Sequence, residues 1–134
     1  MKKAKPSDLE LQVLAVLWET GPATVRRLLT AMPDGKKRAY TTVLSVLQVM
    51  EKKGLVTHDR QGVAHVYRPL VKKRQLLKPL LRELTHNVFG GSPSSVVQFL
   101  LKGTDLSREE LSEIRKLVGE LEASSTETPE GEGE

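Results

Sequence analysis

Residues 38–69 read RAYTTVLSVLQVMEKKGLVTHDRQGVAHVYRP, and this stretch predicts a helix followed by a two-stranded hairpin. On a helical wheel at about 100° per residue, polar side chains occupy one narrow stripe and apolar side chains the opposite side. The polar stripe consists of Thr41, Ser45, Gln48 and Lys52, with Thr42 at its flank. The apolar side consists of Val43, Val46, Leu47 and Met50, and it is wide enough to pack on a core.

The polar stripe differs from an ordinary solvated helix face, which is rich in Glu and Lys. Small hydroxyl and amide side chains let a helix approach a surface closely and hydrogen-bond to base edges or phosphates. The helix is predicted to end at Gly54, a residue that suits the left-handed conformation just past a helix C-terminus. Beyond it, residues 55–59 alternate as a strand, Gln61-Gly62 is the predicted turn, and a second strand ends at Pro69.

Two helices are predicted before this stretch. Ser7 and Glu10 form a capping box that opens the first, and Thr24 is the expected cap of the second, which runs from Val25 to Met32. Three helices followed by a hairpin make the winged helix-turn-helix order, in which the third helix enters the major groove of DNA and the hairpin lies beside it. The predicted fold class is therefore mainly α with a small β-hairpin.

Cationic residues stand where such a domain would meet the DNA backbone. Lys36, Lys37 and Arg38 directly precede the third helix, whose free N-terminal amides attract phosphate. In the hairpin, the exposed polar candidates are Arg60, Gln61 and His65, although His65 also fits an ordinary solvent-facing strand position. Aromatic residues make up only 4% of the chain, which favours double-stranded DNA over single strands that stack on aromatic side chains.

Composition agrees with a polyanion partner. The 134 residues include 21 Lys and Arg and 17 Asp and Glu, for a formal net charge of +4, and the segment from Glu122 onward is acidic with no Lys or Arg. Basic charge also aids solubility, so charge alone does not show that the partner is a polyanion. There is no Cys, which excludes disulfides and thiolate ligands and agrees with a cytoplasmic location. No apolar run approaches the roughly 20 residues that span a bilayer, so no membrane insertion is expected.

Signs of catalysis are missing from the sequence. No catalytic constellation and no phosphate-binding glycine loop is present, so neither an enzyme nor a cofactor is predicted. The three histidines, His58, His65 and His86, fall in different elements and in no metal motif. A histidine site shared between subunits is the open alternative to the prediction of no metal. His58 is expected to hydrogen-bond with its neighbour Asp59.

Three further helices are predicted after the hairpin. The first runs from Gln75 to Phe89 and contains Pro79, which either kinks it or begins a new helix. Ser94 or Ser95 is the expected cap of the second, and Ser107 opens the third with another capping box.

The three helices are too apolar along one side to stand free in water, so they predict a homodimer interface. The predicted interface residues are Leu77, Leu81, Leu84, Val88, Phe99, Leu111, Ile114, Leu117, Val118 and Leu121. The alternative is that these helices fold back on the N-terminal domain. The predicted organisation is a flexible basic N-terminus (1–6), a winged-helix DNA-binding domain (7–70), a helical dimerisation domain (71–122) and a disordered acidic tail (123–134).

Four runs, AYTTVLSVLQVMEKKGLV, GVAHVYRPLV, FGGSPSSVVQFLL and DLSREELSEIRKLV, resemble the penicillinase-repressor family (BlaI/MecI type). The resemblance covers about Pro6 to Leu121. It implies a homodimeric bacterial repressor that binds a palindromic operator through the winged helix and dimerises through its C-terminal helices. For DNA contact it points to the same helix, with Thr41, Thr42 and Ser45 at the groove and with Tyr40 and Lys52 beside them.

The resemblance also implies a way in which repression is relieved. In the antibiotic-resistance members, a membrane sensor protease triggers cleavage of an Asn-Phe bond in the second C-terminal helix, and the dimer is lost. The matching pair here is Gln98-Phe99, in which Phe is kept and Asn is replaced. The competing hypothesis, from a different class, is a winged-helix protein-interaction module without specific DNA binding. The salt dependence of DNA binding distinguishes the repressor from the interaction module, because contacts to phosphates weaken steeply as the salt concentration rises.

Overall fold

The computed structural model describes residues 5–127. This part of the chain forms six helices and one two-stranded antiparallel sheet, and it confirms the predicted mainly helical class with a small hairpin. The elements are α1 (Asp8–Thr20), α2 (Val25–Ala31), α3 (Tyr40–Lys52), β1 (Val56–Gln61), β2 (Ala64–Pro69), α4 (Lys73–Val88), α5 (Pro93–Gly103) and α6 (Arg108–Glu127).

The chain divides into two compact units, one up to Glu83 and one from Leu84 onward. This division falls inside α4, whereas the sequence places the boundary after residue 70. Of the predicted flexible N-terminus, residues 1–4 lie outside the described residues, and so do residues 128–134 of the predicted tail. The tail prediction is wrong for residues 123–127, which continue α6 as helix. No glycine or proline interrupts residues 120–127, so nothing local ends the helix at 122.

The hydrophobic core of the first unit lies among α1, α2, α3 and the hairpin. Its buried residues are Val13, Leu14, Val16, Leu17, Ala23, Val25, Leu28, Met32, Val43, Leu47, Met50, Leu55, Val56 and Tyr67. The hairpin is joined to the loop between α1 and α2 by two backbone hydrogen bonds. The Tyr67 N–H donates to the Ala23 oxygen at 2.7 Å, and the Ala23 N–H donates to the Tyr67 oxygen at 2.9 Å. These bonds fix the base of the hairpin against the helices, and no sequence pattern predicted them.

The turn of the hairpin lies one residue later than predicted. Gln61 pairs with Ala64, which makes Gly62-Val63 the two-residue loop and the predicted Gln61-Gly62 turn wrong. Gly62 has φ +64°, a conformation that side chains with a Cβ rarely adopt. A glycine in the first loop position is typical of the tight turns whose twist matches that of the strands. Val63 is left fully exposed at the tip.

Helix α1 opens with the predicted capping box, and Glu10 of that box has a second role. The Ser7 Oγ accepts the Glu10 N–H at 3.2 Å, and the Glu10 carboxylate accepts the Ser7 N–H at 2.9 Å, which confirms the capping box. The same carboxylate receives the Lys53 ammonium at 3.0 and 3.1 Å. Glu10 is buried, and it therefore joins the start of α1 to the residue that follows α3.

We expect Glu10→Ala to lower the free energy of unfolding by about 1–3 kcal/mol, because a capping bond and a charge-assisted pair are lost together. Urea denaturation followed by circular dichroism measures the change. Glu19→Ala is the matched control, since Glu19 lies exposed on the same helix. Equal stability of the two variants would contradict the role of Glu10.

Helix α4 continues through Pro79 from Lys73 to Val88. The alternative in which a new helix begins at Pro79 is therefore wrong. Proline has no N–H to donate to the carbonyl of Gln75, four residues earlier, so this turn of the helix lacks one hydrogen bond. The first turn is supported by the Gln75 side chain, whose Oε1 accepts the Lys72 N–H at 3.1 Å.

Of the N-terminal caps predicted for α5 and α6, the first is wrong and the second is confirmed. Ser92 caps α5, because its Oγ accepts the Ser95 N–H at 3.2 Å, so the prediction of Ser94 or Ser95 is wrong. Pro93 takes the first helical position, where its fixed φ suits a helix and its missing N–H is not needed, and the cap is the residue before it. The Ser107 Oγ accepts the Glu110 N–H at 3.0 Å, as predicted.

Candidate nucleic-acid interface

The predicted polar stripe of α3 lies on the surface of the first unit. Thr41, Thr42, Ser45, Gln48 and Lys52 are all exposed. On the opposite side Val43, Leu47 and Met50 are fully buried, and Val46 is half-buried. The buried side holds the helix in place, and the stripe is available to meet another molecule.

Tyr40 begins α3 and is 46% exposed. The guanidinium carbon of Arg26, in the first turn of α2, lies 6.0 Å from the centre of the Tyr40 ring, which is cation–π distance. This contact brings an arginine of α2 to the start of α3. From the sequence, Arg26 and Arg27 were expected on the outer face of α2, where an arginine either reaches a phosphate or is simply solvated, but the contact of Arg26 with Tyr40 was not predicted.

The loop between α2 and α3 is organised by Asp34. Its carboxylate receives the Arg38 guanidinium on both oxygens, with Nη2 at 2.6 Å from Oδ2 and Nη1 at 3.1 Å from Oδ1. The Lys36 N–H also donates to Oδ1, at 3.0 Å. Two further bonds join the loop to α1: the Gln12 Nε2 donates to Asp34 Oδ2 at 3.1 Å, and the Asp34 N–H donates to Gln12 Oε1 at 3.2 Å. We call Gln12, Asp34 and Arg38 the loop brace.

The loop brace changes the expected role of the three cations. The Arg38 side chain is only 16% exposed and is paired with Asp34. Lys36 and Lys37 are exposed, and within residues 5–127 neither side chain has an ion pair. Lys36 and Lys37 are therefore the free cations before α3, and Arg38 shapes the loop that delivers the helix.

The loop brace has a consequence for titration. The Arg38 guanidinium, followed by the Lys36 amide, holds the pKa of the Asp34 carboxyl well below its usual range. A carboxyl with a lowered folded-state pKa stabilises the fold above its unfolded pKa, and this contribution is lost as the pH falls through the folded pKa. We expect Asp34 to stay ionised at about pH 3, where an ordinary aspartate with a pKa near 3.9 is mostly protonated.

Titration of the Asp34 carboxyl carbon by NMR measures this effect. Arg38→Gln provides the comparison, because it removes the guanidinium that is the largest cause of the low pKa. The midpoint is expected to rise in the variant. A midpoint that is the same in both proteins would contradict the brace.

The hairpin carries a row of rings beside α3. His58 stacks on His65 with ring centres 4.4 Å apart and lies 5.1 Å from the Tyr67 ring. The Nδ1 of His58 lies 2.9 and 3.1 Å from the two carboxylate oxygens of Glu51 on α3. This contact joins the hairpin to α3. His65 therefore lies in a ring stack with His58. Arg60, which is opposite His65 in the register, is exposed.

The predicted hydrogen bond between His58 and Asp59 is wrong. Asp59 instead accepts the Arg68 Nε at 3.0 Å across the strands. Successive side chains of a strand point to opposite faces, so neighbours in sequence are poorly placed to bond with each other. His58 therefore faces α3, and Asp59 faces the solvent.

A groove lies between the start of α2, α3 and the hairpin. The residues along it include Arg26, Lys52 and His65, which bring basic groups from all three elements, together with Gln48 of the polar stripe. Among residues 5–127 no group of three or more His, Asp or Glu is placed to hold a metal ion. No helix in this range is long and apolar enough to cross a membrane.

In the second unit no side chain between residues 84 and 125 is buried. Most of the predicted interface residues are exposed in the single chain; these are Leu81, Leu84, Val88, Phe99, Leu111, Leu117, Val118 and Leu121, while Leu77 and Ile114 are half-buried. Gln98 and Phe99 both lie exposed on α5, where the Phe99 ring contacts Phe89 edge-on with centres 5.5 Å apart.

The first unit has the architecture of a winged helix-turn-helix domain, a class of DNA-binding fold. Its third helix presents a polar stripe, basic residues precede that helix, and a hairpin packs beside it.

Residues 6–120 match the family model of the penicillinase repressors, and the chain belongs to this family of transcriptional repressors, which are not enzymes. A transcriptional regulator BlaI of Mycobacterium tuberculosis (strain ATCC 25618 / H37Rv) is 32% identical over 131 residues, which cover 96% of this chain and 93% of that protein. The penicillinase repressor of Bacillus licheniformis is 24% identical over 114 residues, covering 85% and 89%.

A solved structure is also similar to part of the chain. It is the solution structure of the monomeric form of Bacillus licheniformis BlaI in complex with the blaP half-operator. The match has 24% sequence identity and a TM-score of 0.46, and it covers 55% of this chain and 90% of the other.

Proposed function

We propose that the protein is a sequence-specific DNA-binding repressor that acts as a homodimer on a palindromic operator in the cytoplasm. The observation that carries the proposal is the exposed stripe of small polar side chains on α3, which is backed by a buried apolar side. Membership of the penicillinase-repressor family and the names of the relatives support it.

The proposed contacts divide into two kinds. Base edges in the major groove are contacted by four side chains of α3, because hydroxyl and amide groups match the donors and acceptors that bases present there. These are Thr41, Thr42, Ser45 and Gln48. Phosphates are held by Lys36, Lys37, Lys52 and Arg60, which are exposed cations, with Tyr40 and His65 at the edges of the site. Arg38 contributes indirectly to DNA binding: its pair with Asp34 in the loop brace sets the position of α3.

The second unit supports the proposal of a dimer. A helical segment in which no side chain of residues 84–125 is buried, and which has an apolar stripe along α6, gains stability when that stripe is covered by a second copy. Two linked DNA-binding domains bind a two-fold symmetric operator far more tightly than one domain does, because the second domain binds at a high effective concentration. Repression would end when the dimer is disrupted.

Cleavage is one proposed route to that disruption. Gln98 and Phe99 lie on α5, where both side chains are exposed in the single chain and Phe99 belongs to the proposed interface. Cleavage between them by a protease that a membrane sensor controls would break a helix of that interface. No cofactor is part of the proposal.

The test is a mobility-shift assay with promoter DNA from the gene neighbourhood of the protein, at low and high salt and with excess random competitor. We expect a shift that resists the competitor, maps to a palindrome and weakens steeply with salt, since binding releases counterions from phosphates. A shift that random DNA removes would overturn the proposal. The winged helix would then be better explained as a protein-interaction module.

A further inference from the structure

One residue of the exposed face of α3 does not match its neighbours. Val49 is 46% exposed, and at about 100° per residue it lies between Ser45 and Thr42 on the wheel. Every other exposed residue of α3 beyond its first turn is polar or charged. The sequence pattern placed Val49 on neither the polar stripe nor the apolar side of the helix.

A lone exposed apolar residue usually needs no explanation. The place of Val49 is different, because a side chain between Ser45 and Thr42 on a base-reading helix must face either a base edge or the water of the groove. Valine has no group that can bond to a phosphate or to a donor or acceptor of a base. The apolar group that the major groove offers is the 5-methyl group of thymine.

We propose that Val49 contacts the 5-methyl group of a thymine in each operator half-site and so specifies an A·T pair there. The inference rests on the proposed function, because it needs α3 to lie in the major groove. Ser45 and Thr42 beside Val49 are small, so they leave room for the two apolar groups to meet. The contact replaces water on both methyl surfaces, which is favourable and carries no hydrogen-bond requirement.

The size of the effect follows from the methyl group that is removed. Transfer of one buried methyl or methylene out of water changes an equilibrium by about fourfold. Two symmetric half-sites would double the free-energy change, which corresponds to about 15-fold for the whole operator.

The experiment uses deoxyuridine, which lacks the 5-methyl group of thymine and keeps its pairing. Each thymine of the operator is replaced in turn, symmetrically in both half-sites, and the affinities of the wild-type protein and of Val49→Ala are measured. We expect one thymine at which the wild-type protein loses about 15-fold and Val49→Ala loses nothing. At other thymines the two proteins should respond alike.

Val97→Ala is the matched control, because Val97 is also 46% exposed but lies on α5. It should keep the wild-type pattern of deoxyuridine sensitivity. The inference is overturned when no thymine is sensitive, or when Val49→Ala keeps the sensitivity of the wild-type protein at every position. Failure of the wild-type protein to bind any operator specifically would instead overturn the proposed function, so the two failures can be told apart.

Discussion

Replacement of Thr41 and Ser45 together by glutamate is expected to weaken operator binding by more than about 100-fold. Both residues are exposed on the stripe of α3, and each is proposed to bond to a base edge. A well-placed base contact contributes about 1–3 kcal/mol, so the loss of two removes about 2–6 kcal/mol. Two carboxylates would also face the phosphates, and this repulsion acts in the same direction.

The measurement is a titration of operator DNA followed by fluorescence anisotropy, with sedimentation of the free protein beside it. The dimer should stay intact, because both substitutions lie on α3, whereas the residues of the proposed interface lie on α4, α5 and α6. The matched control is Thr30→Glu with Ser112→Glu, which adds the same charge at exposed positions of α2 and α6. Binding that survives in the α3 variant, or falls equally in the control, would contradict the groove assignment.

Local sequence patterns predicted the parts of the fold that depend on periodicity and capping. The two-sided pattern of α3 predicted its buried Leu47 and its exposed Ser45, because a helix repeats every 3.6 residues and the two sides differ in polarity. The capping box of Ser7 and Glu10 is equally local, since both partners lie within one turn.

Polar contacts between side chains far apart in sequence were not predicted. Gln12 and Asp34 are 22 residues apart, and nothing in either neighbourhood indicates that they meet. The sequence therefore presented Arg38 as one of three free cations, whereas the fold gives it Asp34 as a partner. The same reason applies to Lys53, whose partner Glu10 is 43 residues away.

Some local errors have a different physical cause. The one-residue shift of the turn to Gly62-Val63 arose because Gln61 is polar enough for a loop, although its backbone pairs with Ala64. The cap of α5 was misplaced because two serines follow Pro93 and compete in sequence with Ser92. Val49 was missed because an apolar residue at the edge of an amphipathic helix belongs to neither side until its exposure is known.

Ile114→Asp is expected to convert the dimer into monomers and to weaken operator binding with it. Ile114 lies in the middle of the apolar stripe of α6, between the more exposed Leu111 and Leu117. A carboxylate at this position would be buried without a partner in the proposed interface, and burial of an unpaired charge is strongly unfavourable. We expect the dissociation constant of the dimer to rise by at least about 100-fold, which corresponds to about 3 kcal/mol.

Analytical ultracentrifugation across a range of protein concentrations measures this change. Ser112→Asp is the control, because Ser112 lies on the opposite side of α6 at about 100° per residue. Leu121→Asp separates loss of the interface from loss of the helix, since Leu121 is 62% exposed and contributes little to the single chain. Helix content by circular dichroism should stay near that of the wild-type protein in all three α6 variants. An intact dimer in Ile114→Asp and Leu121→Asp would place the interface elsewhere, and the apolar stripe of α6 would then need another partner.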